Sequence, residues 1–167
     1  MIEDDHKQAR FVSIYHQYKN LLLHAAYAIL KNQSDAEDIV HETFLTAIDY
    51  MDRLKPETTR AFLLAVTESR AINLWRRQRH FGEQIPYEEA DGHAIPKSEG
   101  IGLSEAIVRL PADYRSVLML RFHMGYTTRE IARMTGKKEG TVTRTITRSK
   151  DRLAKELDKI QKELNAI

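Results

Sequence analysis

Apolar residues recur at three- and four-residue steps through both halves of this 167-residue chain. In the first half the repeat includes Phe11, Ile14, Tyr15, Tyr18, Leu21, Leu22, Ala25 and Ile29. This spacing places the apolar side chains on one face of a long helix. No alternating strand pattern of useful length is found. The sequence therefore predicts an all-α fold.

The longest interruption of the helical repeat is an acidic stretch that contains turn-forming residues. Residues 83–102 include Pro86, Gly92 and Pro96 and show no sustained helical period. Glycine and proline clusters of this kind are typical of loops and linkers. We therefore expect two small helical domains, residues 1–82 and 103–167, joined by a flexible acidic linker at residues 83–102.

Charge is distributed unevenly along the chain, although the whole chain has a net charge of only +2. Residues 1–80 are neutral overall, residues 81–112 carry −4, and residues 113–167 carry +6. A basic C-terminal segment favours a nucleic-acid partner, since cationic side chains bind phosphates. The acidic linker is compatible both with shielding this segment from nonspecific DNA and with a role in solubility alone.

A helix-turn-helix pattern lies within the basic segment. Thr127 and Glu130 form a capping-box pair at the start of a short helix, and Gly136 follows it at the position of a left-handed C-cap. A longer basic helix comes next, with Val142 and Ile146 facing inward. The pattern predicts a four-helix domain in which this basic helix is the recognition helix. A solvated basic face of an ordinary helical bundle is the alternative.

The outward positions of that helix carry threonine and arginine. Its inward residues place positions 141, 144, 145 and 148 on the opposite side, with Thr143 and Thr147 on a flank. Threonine and arginine side chains suit both phosphate oxygens and base edges in the major groove. These residues are therefore candidates for contact with duplex DNA.

Two polar clusters mark the N-terminal domain. Residues 35–38 and 41–42 make an acidic first turn and outer face on a helix that Ser34 and Glu37 are expected to cap. The helix dipole alone accounts for acidic residues there. Residues 75–80 place a tryptophan beside three arginines at the end of another helix. The dipole explains part of this cluster as well, but an aromatic beside arginines is typical of single-stranded DNA binding.

Taken in order, four segments resemble the sigma-70 family, in its small extracytoplasmic-function group. They are DAEDIVHETFL at 35–45, LPADYR at 110–115, TREIA at 128–132 and EGTV at 139–142. Residues 10–80 resemble region 2 of that family, and residues 103–160 resemble region 4. The resemblance implies a sigma factor that binds core RNA polymerase and directs it to promoter DNA, with no cofactor, no metal and no catalytic residue.

The resemblance also implies roles for particular residues. An acidic helix would dock on the polymerase β′ coiled coil through Asp35, Glu37, Asp38, His41 and Glu42. The loop at residues 53–59 and the helix after it would read and melt the −10 element, with Ser69, Asn73, Arg76 and Arg77 at positions where the family contacts this DNA. Trp75 and Arg79, from the aromatic and arginine cluster, are further candidates for the same contact. Region 4 would contact the β flap and read the −35 element. Its base-reading candidates are Thr143, Arg144 and Thr147, and its phosphate candidates are Lys138, Thr141, Arg148 and Lys150.

Three residues depart from the family pattern. Many members carry Arg-Asn where this chain has Glu68-Ser69, so the residue that reads the flipped −10 base is not identified by the pattern. His41 replaces the usual glutamine of the docking helix, and a neutral histidine still donates one hydrogen bond. Lys138 replaces a serine that commonly caps the recognition helix, which removes a side-chain acceptor.

Two other function classes are weighed against this interpretation. A helix-turn-helix regulator that does not bind core polymerase would account for residues 103–167, but it would need a sensor domain in place of the two N-terminal clusters. An enzyme is disfavoured because His41-Glu42 lacks the second histidine of a zinc HExxH motif and no phosphate-binding glycine loop occurs. The chain has no cysteine, which excludes thiolate zinc sites.

The sequence also suggests where the protein works and what regulates it. Apolar runs such as residues 25–30 are far shorter than the roughly 20 residues that span a bilayer. The acidic N-terminus lacks the apolar core of a secretory signal. We therefore expect a cytoplasmic protein without membrane insertion. The family resemblance implies an anti-sigma factor as a further partner.

Overall fold

The structure is a computed structural model that describes residues 2–79 and 101–166. The chain divides into two compact units, Met1–Ile85 and Pro86–Ile167. Most of the predicted linker, residues 83–100, lies outside the described residues. The first helix of the second unit begins at Ile101, two residues before the predicted domain boundary. The described parts are helical and contain no strand, which confirms the all-α prediction.

Over residues 2–79, the first unit contains three helices and a short 3-10 turn. Helix α1 spans Ile2–Leu30, α2 spans Gln33–Asp49, and α3 spans Pro56–Gln78. The 3-10 turn, Met51–Arg53, joins α2 to α3. Helix α1 packs against both α2 and α3. The core between them is formed by buried apolar side chains, among them Leu22, Phe44, Phe62, Leu63 and Ile72.

Local sequence determines where these helices begin. The side chain of Asn32 caps α2 by accepting a hydrogen bond from the backbone N–H of Asp35 at 2.9 Å. The prediction that Ser34 caps this helix is therefore wrong by two residues, because Asn32 supplies an equally good acceptor one position before the helix begins. Pro56 occupies the first turn of α3, where its missing N–H has no partner to lose.

Over residues 101–166, the second unit forms a four-helix domain. Helix α4 spans Ile101–Val108, α5 spans Ala112–Leu118 and continues into a π-helical turn at Met119–His123. Helix α6 spans Thr128–Thr135 and α7 spans Glu139–Asn165. Helix α7 packs against the other three helices. Leu110, Leu120, Ile131, Met134 and Val142 are buried at the centre of this unit.

The predicted helix-turn-helix is present in α6 and α7. Thr127 Oγ1 accepts from the Glu130 N–H at 3.1 Å, and Glu130 Oε1 accepts from the Thr127 N–H at 3.2 Å, which confirms the capping box. Gly136 ends α6 with φ +69°. The left-handed C-cap was predicted from the glycine alone, and it turns the chain sharply into α7.

No helix within residues 2–79 or 101–166 combines the length and the apolar character that a bilayer crossing requires.

Candidate polymerase and nucleic-acid interfaces

Helix α2 carries the five residues predicted to dock on polymerase. Glu37, Asp38, His41 and Glu42 are exposed, and Asp35 is half-buried. Asp35 Oδ2 accepts a hydrogen bond from Gln78 Nε2 of α3 at 2.9 Å. The structure therefore brings the five residues together on consecutive turns of one helix, with most of their charge directed to solvent.

Arg70 is a functional candidate that the sequence analysis missed. It lies on α3, where its Nη1 donates to Glu42 Oε2 and its Nη2 donates to Thr46 Oγ1, both at 3.2 Å. Burial lowers the pKa of Arg70, and the neighbouring Glu42 carboxylate opposes that shift. Arginine remains charged under such a shift. One guanidinium thus joins the acidic helix α2 to the helix α3 that carries the arginine cluster.

Two large apolar side chains extend the exposed face of α2. Leu45 is 52% exposed and Ile48 is 48% exposed, although both fit the apolar repeat of this helix. Ile39, Val40, Thr43, Phe44 and Ala47 already fill the contact with α1 and α3. Asp38, His41, Leu45 and Ile48 follow one another at helical spacing, and we call them the α2 face. This face combines a carboxylate with apolar area.

The arginine cluster lies at the C-terminal end of α3. Arg76, Arg77 and Arg79 are exposed, and Asn73 is half-buried. The guanidinium carbon of Arg79 lies 5.2 Å from the centroid of the Trp75 ring, a cation–π distance. The cluster therefore offers several cations on the last turn of a helix, where they also favour the dipole.

Two of the predicted −10 residues are buried in the first unit. Ser69 has no exposed surface and Trp75 is only 4% exposed. A ring enclosed in this way cannot stack on a base without rearrangement of the core. The Trp75 ring instead makes the cation–π contact with Arg79. Ser69 and Trp75 therefore offer little or no surface for a direct contact with DNA. The neighbouring Glu68 is also buried, and its carboxylate therefore does not face DNA phosphates.

The connection between α2 and α3 is shorter than the loop predicted at residues 53–59. Helix α3 already begins at Pro56, and Thr59 is a buried helical residue whose Oγ1 donates to the Lys55 carbonyl at 2.7 Å. The predicted loop is wrong in its second half because Pro56 starts a helix as readily as it ends one. The non-helical part is confined to Leu54 and Lys55, after the 3-10 turn.

The outer surface of α7 forms the candidate DNA-reading face. Thr143, Arg144, Thr147 and Arg148 are exposed, and Thr141 and Thr145 are half-buried. The face is thus rotated relative to the predicted one. Thr143 Oγ1 donates to the Glu139 carbonyl at 3.1 Å, and Thr147 Oγ1 donates to the Thr143 carbonyl at 3.2 Å. The methyl groups and oxygen lone pairs of Thr143 and Thr147 remain available to a partner, while Arg144 and Arg148 supply donors on this face.

Cationic residues flank the DNA-reading face at both ends. Lys138 stands at the N-cap of α7, makes no side-chain cap and is exposed. Lys150 Nζ lies 4.8 Å from the centroid of the Phe122 ring, which is itself 55% exposed. Arg129 of α6 approaches Glu139 of α7, with Nε and Oε2 3.9 Å apart. The arrangement suits phosphates on either side of a groove-bound helix.

Comparison with protein families gives two matches. Residues 14–81 match the model described as Sigma-70 region 2, and residues 102–153 match the model described as Sigma-70, region 4. The first covers α2, α3 and most of α1, and the second covers the helix-turn-helix. The two matches together cover most of the chain.

Individual proteins show the same similarity. The RNA polymerase sigma factor SigV of Bacillus subtilis is 27% identical over 149 residues, which cover 81% of this chain and 83% of SigV. The ECF RNA polymerase sigma factor SigE of Mycolicibacterium smegmatis is 26% identical over 147 residues, which cover 82% of this chain and 57% of SigE. Among solved structures, the sigma factor RpoE in complex with the anti-sigma factor NepR from Bartonella quintana is 20% identical, with a TM-score of 0.38, covering 89% of this chain and 97% of that one.

Proposed function

The chain belongs to the sigma-70 family as an RNA polymerase sigma factor of the extracytoplasmic-function group, and we propose how its two units divide promoter recognition. Residues 1–82 form the region 2 domain, which docks on core polymerase and reads and melts the −10 element. Residues 103–167 form the region 4 domain, which reads the −35 element, and residues 83–102 link the two. The observation that carries this division is that an exposed acidic helix and an exposed cationic recognition helix lie in separate units.

Docking on the β′ coiled coil is assigned to α2. Its exposed carboxylates complement a partner that is basic in part, and charge complementarity speeds and orients such encounters. Leu45 and Ile48 add apolar area that becomes buried on docking. His41 lies between the acidic and apolar parts of the α2 face and offers a donor in place of the usual glutamine amide.

Recognition of the −10 element is assigned to the turn before α3 and to the exposed end of that helix. Asn73, Arg76, Arg77 and Arg79 remain as the contact residues. Arginines bind the backbone of a melted strand without requiring a sequence, so the Arg76–Arg79 end of α3 contributes affinity. Specificity then depends on the turn, because capture of a flipped base needs polar groups in fixed positions.

Recognition of the −35 element is assigned to α7. The capping box and the left-handed Gly136 fix the angle between α6 and α7, and the exposed face of α7 then fits the major groove. Arg144 is the base-reading donor, and the methyl groups of Thr143 and Thr147 suit thymine. Lys138, Thr141, Arg148 and Lys150 are assigned to phosphates.

A helix-turn-helix regulator that does not bind polymerase is not favoured. A regulator of that kind would not require a region 2 domain, yet residues 14–81 match the region 2 model. The proposal further includes contact of the second unit with the β flap, action in the cytoplasm without a cofactor or catalytic residue, and control by an anti-sigma factor. An anti-sigma factor is the partner named for RpoE of Bartonella quintana.

Reconstitution with core polymerase tests the proposal. The purified chain is added to core enzyme, and transcript starts are mapped across the source genome. We expect initiation at sites that share a spaced pair of −35 and −10 sequences. DNA binding without initiation would contradict the proposal and favour the plain regulator.

A further inference from the structure

Arg10 of α1 contacts the connection between α2 and α3. Its Nη1 donates to the Met51 carbonyl at 3.0 Å, and its Nη2 donates to the Leu54 carbonyl. The side chains of Met51 and Leu54 are themselves buried in the core. The turn at residues 51–55 is therefore anchored on two sides, by apolar burial and by one guanidinium.

A second contact lies one turn earlier on α1. Lys7 Nζ is 3.0 Å from Asp52 Oδ1, and the carboxylate raises the pKa of Lys7. Both partners are largely exposed, so this ion pair contributes little by itself. Neither Lys7 nor Arg10 falls within residues 14–81, the segment that matches region 2. Lys7 and Arg10, near the start of α1, thus contact residues 51–54 from outside the segment that matches region 2.

The two Arg10 contacts differ in kind from the Lys7 contact. Main-chain carbonyls fix the path of the backbone, whereas Asp52 is a side chain on an exposed residue. A guanidinium is planar and presents its N–H groups as a rigid fork, so it sets the relative position of two acceptors. Hydrogen bonds from a charged donor are also stronger than neutral ones. Arg10 therefore restricts the conformations open to the turn.

We propose that Arg10 is a positioning residue for the −10 element. By holding the carbonyls of Met51 and Leu54, it keeps the turn in the conformation that accepts the melted strand. The exposed side chains of Asp52, Arg53 and Lys55 project from this turn. Fixing the backbone that carries these side chains removes an ordering cost on binding, which raises affinity without any contact between Arg10 and DNA. The proposal rests on the proposed function, in which this turn and α3 read the −10 element.

The experiment measures binding of a fluorescent single-stranded DNA that carries the −10 sequence found by transcript mapping. The protein is the full chain in complex with core polymerase. Arg10→Met keeps the apolar stem and removes the donors, and we expect about tenfold weaker binding. Arg10→Lys has one donor group instead of a fork, and its affinity for the strand should lie between those of wild type and Arg10→Met. Lys7→Met is the matched control on the same helix and should change affinity less than twofold.

Two further readouts separate positioning from general destabilisation. Affinity for core polymerase and for duplex −35 DNA should stay within twofold in Arg10→Met. Hydrogen exchange should accelerate at the amides of Arg53 and Leu54, which bond to the Tyr50 and Met51 carbonyls at 3.0 and 3.3 Å, but not in the interior of α3. If Arg10→Met does not fold, Arg10→Lys provides both measurements.

The outcomes distinguish this proposal from the one it rests on. Wild-type affinity of Arg10→Met for the −10 strand would overturn the role of Arg10 alone. An equal loss of core affinity, or faster exchange throughout α3, would make Arg10 a structural residue and also overturn it. Failure of the wild-type complex to bind any −10 strand would instead overturn the proposed function, and this proposal with it.

Discussion

Arg70 on α3 and Glu42 on α2 form an ion pair, with Nη1 and Oε2 3.2 Å apart. The guanidinium is more enclosed than the carboxylate, which remains half exposed. Glu42 therefore serves two purposes, since it presents charge on the outside of α2 and holds α2 to α3. Asp38 and Glu37 are exposed and make no such contact with α3. Charge reversals along this helix thus have different structural costs.

Reversal of Asp38 tests polymerase docking most cleanly. Asp38→Lys should abolish capture of core polymerase, because it replaces attraction to the basic coiled coil with repulsion. The midpoint of thermal unfolding should stay within about 2 °C, as for surface substitutions generally. Measurement is by pull-down of core enzyme and by circular dichroism. Retained capture would show that the docking surface lies elsewhere.

Reversal of Glu42 should combine a docking defect with a stability defect. Glu42→Lys places a second cation beside the enclosed Arg70. We expect the free energy of unfolding to fall by about 1 kcal/mol, a modest loss because solvent screens the half-exposed position 42. The chain has a single tryptophan, Trp75, which lies in the core of the first unit, so urea unfolding followed by its fluorescence reports this unit. Glu42→Gln is the control, since it keeps a hydrogen-bond acceptor for Arg70.

Arg144 should determine sequence preference at the −35 element. Arg144→Ala should cost about 1–3 kcal/mol on the preferred −35 sequence and much less on others. Arg148→Ala is the matched control on the same face and should weaken binding to all sequences alike, with a smaller salt dependence. Duplex binding is measured at two salt concentrations. A uniform loss for Arg144→Ala would reassign that residue to phosphate contact.

The left-handed conformation of Gly136 should be required for the stability of the helix-turn-helix. Its φ is +69°, so Gly136→Ala is expected to cost about 1–2 kcal/mol. Gly140 lies in the first turn of α7, where an added Cβ meets no atom within 4 Å, and Gly140→Ala should be neutral or stabilising by up to about 1 kcal/mol. Urea unfolding of the full chain followed by far-ultraviolet circular dichroism measures both. Destabilisation by Gly140→Ala but not by Gly136→Ala would contradict the requirement for a left-handed residue at position 136.

The ion pair between Arg109, the residue after α4, and Glu163 of α7 should weaken in acid. Arg109 Nη2 lies 3.0 Å from Glu163 Oε2, and the guanidinium lowers the pKa of Glu163 below its ordinary 4.5. A carboxyl group with a lowered pKa in the folded state stabilises it above the unfolded pKa, and this contribution is lost as the pH falls through the folded pKa. Glu163→Gln should therefore be less stable than wild type at neutral pH, and this difference should shrink in acid as the pH falls through the lowered pKa of Glu163.

A control on α7 separates this attachment from charge effects along the helix. Asp158 pairs only with Lys162, four residues later on the same helix, among the ion pairs of the described residues. Asp158→Asn should change stability little at either pH. A pH dependence as large as that of Glu163→Gln would contradict the role of the Arg109–Glu163 pair.

Features that depend on short stretches of sequence were predictable. The Thr127–Glu130 capping box and the Gly136 C-cap each satisfy backbone groups within four residues, so the residues involved are enough to identify them. The division into helices follows from apolar spacing for the same reason. The start of α2 was missed because Asn32 and Ser34 are both good caps, and their local energies barely differ.

Only the tertiary structure decided which side chains face solvent where several faces of a helix are apolar. Leu45 and Ile48 fit the apolar repeat as well as Phe44 does, but α1 and α3 together cover only one side of α2. Trp75 beside an arginine cluster suited stacking on DNA equally well, yet its ring is only 4% exposed in the folded unit. Burial depends on which helices meet, and that is a property of residues far apart in the chain.

The chain by itself therefore determined its helices, its caps, its charge segregation and its family resemblance. The fold decided the partnerships that cross between helices: Arg70 with Glu42, Arg109 with Glu163, and Arg10 with the carbonyls of residues 51 and 54. These pairs are 28 to 54 residues apart in sequence. No local pattern encodes such a contact, because its geometry arises only when the apolar faces of separate helices pack together.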